Sequence, residues 1–426
     1  AEAARRLRPA GDAKLLGSEA ESPDAGTATP APPAPGDIRD AIDTDHRELR
    51  DRVLALLEAP ELRIPIGLPH DESRERVLDA LVFLADEGIG GLGFEEAYGG
   101  AGQPGGSVAA FESLAFGDLS VLVKFGVQFG LFGGSIQQLG TKRHHEKHLP
   151  DVVSLALPGC YAMTETGHGS NVRDLETTAT FDAETSEFVV HSPTEASGKD
   201  WIGNAARHGR LAVVFARLLV SEEDHGVHAV LVPIRDEKGA PLPGVRIEDR
   251  GLKLGLNGVD NGRIWFDSVR VPADNLLDRF ASIDEDGVYQ SPIPSSGRRF
   301  FTMLSTLVAG RVSIASAALS ATKRGLTIAV RYTAQRRQFG PSGEREVPIL
   351  SYTTMQRALM PRLASTYALH FALRALQARF DTWARSGEED PELEVLAAGL
   401  KSWASDHCTD TLVVAREACG GQGYLA

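Results

Sequence analysis

The sequence predicts an α+β multidomain protein in which a helical part, a β-rich part and a second helical part follow one another. Apolar residues recur at helical spacing between about residues 37 and 158. Short β-rich runs follow up to about residue 272, and long helical patterns return from about residue 299. With 426 residues, of which 42% are hydrophobic, the chain is long enough for two or three domains.

The first part of the chain contains a tail and a helical domain. Residues 1–36 are rich in Ala and Pro, as in ATPAPPAPG, and have few large apolar side chains. Burying them would not offset the entropy lost on ordering, so we predict a disordered tail over 1–36. Over 37–158, apolar residues such as Val77, Leu78 and Leu81 lie three and four positions apart, which predicts an N-terminal helical domain.

The pattern changes to β-rich runs at Gly159. The runs TTATFD, EFVVHS, RLAVVFARLLV, GVHAVLVPI and RIWFDSVRVP are rich in β-branched and aromatic residues and are separated by turn-forming residues. They predict a small antiparallel barrel or sandwich over 159–272. A linker over 273–298 then leads to long helical segments, which predict a C-terminal helical domain over 299–426.

Composition argues against several classes of function. The formal net charge of −14 disfavours bulk nucleic-acid binding, and no apolar run approaches the roughly 20 residues of a membrane-spanning helix. Cys160, Cys408 and Cys419 match neither a metal-binding nor a disulfide spacing, so we expect no metal site and a reducing compartment. The absence of a secretory signal and the excess of arginine over lysine predict a cytoplasmic, bacterial protein.

The stretch GAGQPG at Gly100–Gly105 formally matches the G-x-G-x-x-G pattern. It follows no buried strand, and Pro104 stands where the dinucleotide fingerprint needs backbone donors that open a helix. We therefore reject a nicotinamide dinucleotide site at this position.

The stretch CYAMTETGHGSN combines hydroxyl groups, an acid, a histidine and two glycines. Gly167 and Gly169 would let a ligand approach the backbone, the amides can form an anion-binding nest, and Thr164 and Ser170 supply hydroxyl groups. A Gly-rich capped hairpin explains the same composition equally well. His168 has no acid or nucleophile placed beside it in sequence, and we interpret it as a surface histidine.

Three further segments each allow two interpretations. Trp201 could cover a planar cofactor, and Gly203 would leave space beside it. The same residue is equally well explained as a core tryptophan next to a turn. Arg336–Gly340 and Gly420–Tyr424 end predicted helices, where cations and glycines are ordinary caps. With the surplus of arginine, they also suit a diphosphate ligand.

In their order and spacing, six segments resemble the acyl-CoA dehydrogenase superfamily, and specifically its acyl-CoA oxidase branch. They are CYAMTETGHGSNVRDLETTATFD, SPTEASGKDWIGNAARHGRLAVVFARL, GLNGVDNGRIWFDSVRVPADNLL, RYTAQRRQF, VPILSYTTMQRALMPRLASTYALHF and EACGGQGY. The resemblance extends from about residue 90 to the end. It implies an N-terminal helical domain, a middle β domain and a C-terminal helical bundle, with FAD between the last two.

The resemblance also implies roles for single residues of the middle domain. Thr164 would hydrogen-bond the pyrimidine edge of the flavin, and Ser170 would face the CoA side of the cofactor site. Trp201 would pack near the isoalloxazine, and Gly203 would lie beside its reactive centre. Dehydrogenases of the family usually have a threonine at the position of Gly203, whereas a glycine is typical of oxidases and opens space for dioxygen.

A second group of residues implies a partner subunit. By resemblance, Arg336, Gln338, Gly420 and Gly421 would contact the FAD diphosphate across a subunit boundary. The resemblance therefore implies a homo-oligomer, either a dimer or a larger assembly.

The implied reaction is the α,β-desaturation of a fatty acyl-CoA in β-oxidation. A carboxylate removes the Cα proton while hydride leaves Cβ for the flavin, and in an oxidase O2 then reoxidises the flavin and yields H2O2. Two alternatives stay open. One is a dehydrogenase that passes electrons to an electron-transfer flavoprotein, and the other is a non-catalytic subunit that binds flavin or acyl-CoA.

The chain departs from the family pattern near its end. The base of the family is a glutamate beyond the GGxGY turn, which here would lie past Ala426, and the alternative position around Met303–Ser305 has no carboxylate. We therefore expect no catalytic residue in this chain, an incomplete C-terminal bundle, and a fragment or one chain of a split polypeptide. The family's arginine for the CoA also has no match there, which leaves Arg298 and Arg299 as candidate substitutes.

Overall fold

The computed structural model describes residues 35–43, 45–304, 307–388 and 390–425. The chain divides into two compact units, Ala1–Thr44 and Asp45–Ala426. In the first unit, helix α1 (Pro35–Ile42) starts at a proline, as is common for the first helical position. The predicted tail over 1–36 lies outside the described residues except for its last two, which begin α1.

The N-terminal part of the second unit is helical, as predicted. Its helices are α2 (Arg47–Leu56), α3 (His70–Asp86), α4 (Pro104–Leu114), α5 (Leu119–Phe125), α6 (Gly134–Leu139) and α7 (Lys142–Val153). The side chain of Asp118 caps α5 by accepting hydrogen bonds from the amides of Ser120 and Val121 at 2.8 and 3.1 Å. A π-helical segment, Gly126–Gly133, joins α5 to α6, and such segments often occur at functional sites.

The middle part consists of two packed sheets. Its strands are β1 (Gly159–Ala162), β2 (Thr178–Asp182), β3 (Glu187–His191), β4 (Lys199–Ile202), β5 (Leu211–Val220), β6 (Glu223–Pro233), β7 (Val245–Asp249), β8 (Gly262–Phe266) and β9 (Val269–Pro272). One sheet has the order β1-β5-β2-β3-β9, with β6 also paired to β5, and the other has the order β4-β8-β7. Val214 and Phe188 of the first sheet share a core with Ile264 and Phe266 of the second.

Strand β5 is buried on both faces. Leu211, Val213 and Phe215 belong to the core of the N-terminal helices, whereas the alternate residues Ala212 and Val214 belong to the core between the sheets. Burial on both faces explains why this strand is a continuous apolar run rather than an alternating one. Strand β5 pairs antiparallel with β6 but parallel with β1 and β2, so the prediction of an antiparallel sheet is only partly correct.

The predicted linker over 273–298 contains regular structure. Strands β10 (Ser282–Ile283) and β11 (Tyr289–Gln290) form a hairpin. The carboxylate of Asp284 accepts hydrogen bonds from the amides of Asp286 and Val288 at 3.1 and 2.8 Å, which fixes the turn. Helix α8 (Ser296–Leu304) begins before the predicted end of the linker.

The C-terminal part is a helical bundle. After α8 come α9 (Leu307–Gln335), α10 (Thr353–Ser386) and α11 (Pro391–Ala418). Val312 near the start of α9 shares a core with Leu393 near the start of α11, and Ala329 near the end of α9 shares one with Ala415 near the end of α11. Helices α9 and α11 therefore run parallel. Phe371 and Val395 of this bundle are 55% and 71% exposed.

A buried charge cluster joins the N-terminal helices to the bundle. Glu112 of α4 accepts two hydrogen bonds from Arg374 of α10, at 2.6 and 3.0 Å. Arg50 of α2 and Gln377 of α10 also donate to Glu112, at 3.3 and 3.0 Å. Burial alone would raise the pKa of Glu112, but Arg374 and its neighbouring cations lower it to about 2.

Two helical stretches, Leu119–Leu139 and Ser296–Gln335, are long and apolar enough to cross a membrane by length and composition alone. The sequence was expected to contain no apolar run that approaches this length. The first stretch is largely buried in the N-terminal core, and core helices pass the same test, so this is weak evidence for a membrane span.

Candidate active site

The stretch that begins at Thr164 starts with a tight hairpin. Glu165 and His168 exchange both backbone hydrogen bonds, at 3.2 and 3.1 Å. Thr166 and Gly167 therefore form a two-residue turn of the kind that connects antiparallel strands. The hairpin interpretation is correct for this first half of the stretch.

The amides of the turn are used within the fold. The amides of Thr166 and Gly167 donate to the carbonyl oxygens of Gly198 and Ala196 at 3.0 and 2.8 Å. They are not available for the anion-binding nest that the sequence allowed. The exposed loop around Ser170 is different, because in the described part of the chain the Ser170 amide has no acceptor.

Beneath the hairpin, Glu165 and Lys199 form a buried ion pair. Lys199 Nζ lies 2.9 Å from Glu165 Oε1 and also donates to the carbonyl oxygens of Met163 and Phe215, at 3.1 and 2.7 Å. All three ammonium protons thus have acceptors. Glu165 further accepts hydrogen bonds from the amide and hydroxyl of Thr177, at 3.0 and 2.6 Å.

This pair is charged at neutral pH. Burial alone would raise the pKa of Glu165, but Lys199 and Thr177 hold it below its usual value. Burial lowers the pKa of Lys199 to about 8, and the carboxylate of Glu165 limits this decrease.

Asp200 holds the hairpin from the neighbouring position of β4. The hydroxyl of Thr164 donates to the carbonyl oxygen of Asp200 at 2.8 Å, and the amide of Asp200 donates back to the carbonyl oxygen of Thr164 at 3.0 Å. The carboxylate of Asp200 accepts from the amide of Trp201 at 2.7 Å and from the hydroxyl of Thr166 at 3.0 Å. The amide of Thr164 has no acceptor among the residues that the structure describes.

Trp201 lies at the surface, which excludes the interpretation as a core tryptophan. Its side chain is 55% exposed, and its backbone is left-handed with φ of 62°. Asn261 Nδ2 donates to the carbonyl oxygen of Trp201 at 3.0 Å, and the guanidinium of Arg250 lies 4.2 Å from the centroid of the indole. The ring is thus held in place while much of it faces solvent.

Gly203 packs against the π-helical segment. A Cβ atom at Gly203 would lie 2.8 Å from a methyl carbon of Val127, closer than real Cβ contacts. The next residue, Asn204, donates to the carbonyl oxygen of Gly159 at 2.7 Å. The close contact with Val127 therefore favours a glycine at 203, apart from any space that this residue leaves for a ligand.

A second buried charge cluster fixes the helices against the β domain at this contact. Lys124 of α5 donates to Asn204 Oδ1 at 2.6 Å and to a carboxylate oxygen of Asp260. His208 lies with Nδ1 2.9 Å from Lys124 Nζ and with Nε2 3.1 Å from Glu75 Oε1. Burial would raise the pKa of Asp260, but Lys124 and His208 hold it far below its usual value.

The residues expected to contact CoA differ in exposure. Ser170 and Arg298 lie at the surface. Arg299 is only 4% exposed, and its two terminal nitrogens donate to the carbonyl oxygens of Ile293 and His225 at 2.8 and 2.6 Å. This corrects the expectation for Arg299, because its guanidinium is buried and bonded within the fold. The alternative position of the base was Met303–Ser305, and Ser305 lies outside the described residues.

The residues after α9 form a short two-stranded ladder. The amide of Ile349 donates to the carbonyl oxygen of Arg336 at 2.8 Å, and the amide of Gln338 donates to the carbonyl oxygen of Val347 at 3.1 Å. The Arg336 side chain is exposed, and Gln338 Nε2 donates to the carbonyl oxygen of Arg337 at 2.6 Å. The ladder thus fixes the backbone from which Arg336 projects.

The glycine turn after α11 lies at the same end of the bundle, because α9 and α11 are parallel. A Cβ at Gly423 would lie 2.1 Å from the carbonyl oxygen of Arg416, so packing requires this glycine. Gly420 has a left-handed φ of 56°, which favours glycine. A Cβ at Gly421 would meet no atom within 4 Å, so neither packing nor the backbone explains this glycine.

The residues predicted to bind the cofactor thus fall into two groups. Thr164, Ser170, Trp201 and Gly203 belong to the β domain around the hairpin, whereas Arg336, Gln338, Gly420 and Gly421 lie at one end of the bundle. Among the described residues, no hydrogen bond, ion pair or ring contact joins the two groups.

Sequence reasoning missed three residues of this region. Lys199 and Asp200 were visible as charged residues directly before an aromatic at a β-rich position, and a buried charge in a strand requires a partner. Nothing in the sequence signals the contact of Val127 with Gly203, since it depends on the packing of two domains.

Three family models match successive parts of the chain. They are "Acyl-CoA dehydrogenase, N-terminal domain" over 43–156, "Acyl-CoA dehydrogenase, middle domain" over 160–269 and "Acyl-CoA oxidase, C-alpha1 domain" over 304–426.

Known proteins with similar sequences carry related names. The peroxisomal acyl-coenzyme A oxidase 2 of Arabidopsis thaliana is 44% identical over 391 residues, which cover 89% of this chain and 56% of the relative. The peroxisomal acyl-coenzyme A oxidase 3 of Homo sapiens is 41% identical over 330 residues, which cover 75% of this chain and 47% of the relative. The chain spans about half the length of the curated relatives it matches.

Solved structures confirm the predicted fold class. Acyl-CoA oxidase 3 from Yarrowia lipolytica has a TM-score of 0.80 at 30% identity, over 91% of this chain and 57% of that chain. Acyl-CoA oxidase 2 from Caenorhabditis elegans, solved with FAD, ascaroside-CoA and ATP, has a TM-score of 0.76 at 29% identity, over 91% of this chain and 58% of that chain.

The relatives correct one expectation. The similar proteins from Arabidopsis thaliana and Homo sapiens are eukaryotic and are named as peroxisomal, which contradicts the prediction of a cytoplasmic, bacterial protein. That prediction rested on the ratio of arginine to lysine and on the missing targeting signals, and neither observation identifies a compartment.

Proposed function

The chain belongs to the acyl-CoA oxidase branch of the acyl-CoA dehydrogenase superfamily, and from this membership we propose that the protein is an FAD-dependent acyl-CoA oxidase. It would convert a fatty acyl-CoA and O2 into the trans-2-enoyl-CoA and H2O2. Two hydrogens leave the substrate, one as a proton from Cα and one as hydride from Cβ, and both end on the oxygen molecule. The C-terminal match to the oxidase family is the observation that carries this proposal.

The residues around the hairpin fit a flat, polar-edged cofactor. Trp201 offers an exposed ring held at a fixed angle, and Thr164 offers an amide without an internal acceptor. FAD, when bound, would supply the acceptor for the hydride and the route of the electrons to O2. Thr164 would bind the edge of the flavin, Trp201 would cover part of its ring system, and Ser170 and Arg298 would face the substrate at the surface.

The acids beside the hairpin do not fit the role of the base that removes the Cα proton. Glu165 is buried, ionised and paired with Lys199, and Asp200 is buried with both carboxylate oxygens engaged. Neither can move to a substrate without breaking these hydrogen bonds. We therefore propose that a carboxylate other than these two performs this step, in line with the family's glutamate, which follows the GGxGY turn.

The decisive experiment mixes the purified full-length protein with palmitoyl-CoA in air and measures H2O2. We expect H2O2 to form in equal amount to the enoyl-CoA. In a dehydrogenase, palmitoyl-CoA would reduce the flavin under anaerobic conditions, but only an electron-transfer flavoprotein would reoxidise it. This result would identify a dehydrogenase instead. Flavin that binds but is never reduced would identify the alternative of a non-catalytic binding subunit.

We also propose that a second copy of the chain completes the site. Two observations support this: Arg336, Gln338, Gly420 and Gly421 lie together at the end of the bundle, and no described contact joins them to the hairpin. Exposed apolar side chains on the bundle, such as Phe371 and Val395, provide surface for association. In a homodimer, the bundle end of one subunit would contribute its cations and glycines to the cofactor on the other.

A further inference from the structure

The buried pair of Glu165 and Lys199 brackets the proposed flavin contact. Lys199 Nζ donates to the carbonyl oxygen of Met163, directly before Thr164, and to the carboxylate of Glu165, directly after it. Its third hydrogen bond goes to the carbonyl oxygen of Phe215 on β5. A single ammonium group thus fixes both neighbours of Thr164 to the central strand of the β domain.

Stability alone does not account for this arrangement. Replacing a buried ion pair by apolar side chains of similar volume is often neutral or stabilising, because two desolvated charges cost about as much as their attraction returns. An apolar side chain at 199 would, however, leave the carbonyl oxygens of Met163 and Phe215 without their donor. The three hydrogen bonds of Lys199 therefore specify where the hairpin lies, in addition to what they contribute to the free energy of folding.

Asp200 acts on the other side of the same strand. Successive side chains of a strand point in opposite directions. Lys199 therefore contacts the residues beneath the hairpin, whereas Asp200 contacts the hairpin from the opposite face of the strand. Asp200 binds the hydroxyl of Thr166 and the amide of Trp201 through its carboxylate, and the hydroxyl of Thr164 through its carbonyl oxygen. The dipeptide 199–200 thereby sets Thr164 and Trp201 relative to each other.

We propose that Glu165, Lys199 and Asp200 are positioning residues that hold the Thr164 hairpin and the Trp201 ring in the geometry that binds the flavin. This inference rests on the proposed function, and it assigns to this buried network a role in cofactor binding beyond stability.

The experiment compares three variants of the full-length protein with the wild type. Lys199→Met leaves a buried carboxylate without its cation, so it should lower both the unfolding temperature and the affinity for FAD. The double variant Glu165→Gln/Lys199→Met removes both charges, while the glutamine still accepts from Thr177. It should recover the part of the unfolding temperature that is due to the uncompensated charge, but not the part due to the carbonyl oxygens of Met163 and Phe215. It should still bind FAD about tenfold or more weakly, since a loosened supporting shell misplaces the binding groups.

The third variant, Glu112→Gln, is the matched control. It disturbs a buried carboxylate of the helical cluster that has no contact with the hairpin in the described structure. It should lower the unfolding temperature but leave FAD affinity and the visible absorption bands of the flavin unchanged. FAD affinity is measured by titration with fluorescence detection, and the absorption bands report the polarity around the ring.

Full FAD affinity and an unaltered flavin spectrum in the double variant would overturn the inference. Should Lys199→Met fail to fold, Asp200→Asn tests the same point, because it keeps the shape of the side chain and weakens its hydrogen bonds to Thr166 and Trp201. If the wild type binds no FAD, the proposed function fails, and hydrogen exchange over 164–170 decides the inference separately. Equal exchange in wild type and double variant would then contradict a positioning role.

Discussion

Gly203 and Val127 are in direct contact, and a Cβ atom at Gly203 would lie 2.8 Å from a methyl carbon of Val127. The contact joins the β domain to the π-helical segment of the N-terminal helices. A side chain at 203 therefore forces the branched side chain of Val127 to shift. This contact provides a way to separate packing from access of dioxygen to the proposed flavin site.

Gly203→Thr should lower both the unfolding temperature and the rate at which O2 reoxidises the reduced flavin. The first effect follows from overpacking, which costs roughly 1–3 kcal/mol, and the second from the space that the new side chain occupies. Adding Val127→Ala should relieve the clash and recover the unfolding temperature, but not the reoxidation rate, which stopped-flow absorbance measures. Recovery of both would mean that oxygen reactivity depends on packing alone.

Two variants that each bind FAD weakly should complement each other if two subunits build the site. Trp201→Ala removes a group of the hairpin region and Arg336→Ala removes one of the bundle end, so each alone should bind FAD weakly. In mixed dimers of the two variants, one of the two sites would be intact. Unfolding and refolding the variants together should therefore restore part of the FAD binding, whereas each variant treated alone should restore none. An equal lack of recovery in the mixture would place both groups in one subunit.

Acid should destabilise the protein through Glu112. Its pKa is lowered from 4.5 to about 2 in the folded protein, so its stabilising contribution is fully present above pH 4.5 and is lost as the pH falls towards 2. The contribution amounts to about 3 kcal/mol, from about 1.4 kcal/mol for each unit of pKa. Urea unfolding at a series of pH values should show this decrease, and Glu112→Gln should be less stable at pH 7 with a flatter profile below pH 4.5. An unchanged profile in the variant would assign the acid sensitivity to other groups.

The cluster around Lys124 should couple the helices to the β domain. Lys124→Met leaves the buried carboxylate of Asp260 without its cation, which costs roughly 3–5 kcal/mol. The double variant Lys124→Met/Asp260→Asn should recover a large part of this loss, because no buried charge is left uncompensated. Urea unfolding measures both, and two equal losses would indicate that the amides of Arg207 and His208, which donate to Asp260, matter more than the charge pair.

The sequence predicted the fold correctly where the local residue pattern follows directly from which side chains are buried in the folded protein. Strand β5 is apolar throughout because both of its faces are buried, and this composition is visible without the structure. The hairpin of β10 and β11 was missed because its strands have two residues each and depend on the side chain of Asp284. Two residues are too few for a periodic pattern to form.

The candidate site could be predicted only in part. Thr164, Trp201 and the glycine turns stand in short motifs, so the resemblance proposes roles for them directly, and these roles stay predictions. Arg299 was misjudged because an arginine in sequence carries no sign of burial, and its two carbonyl partners lie on separate segments. Lys199 was left without a role because its three acceptors become neighbours only when the strands pair.

The parallel course of α9 and α11 places a geometric constraint on the bundle end. Each helix carries one of the two terminal turns, and both helices are packed together at their beginnings and at their ends. One residue inserted into α9 between these packed regions would advance Arg336 by about 1.5 Å along the axis and rotate it by about 100°. The Gly420 turn would stay in place. The position and orientation of Arg336 relative to the Gly420 turn therefore depend on the number of residues in α9. Single-residue insertions or deletions in α9 would be tolerated less well than substitutions on its exposed face.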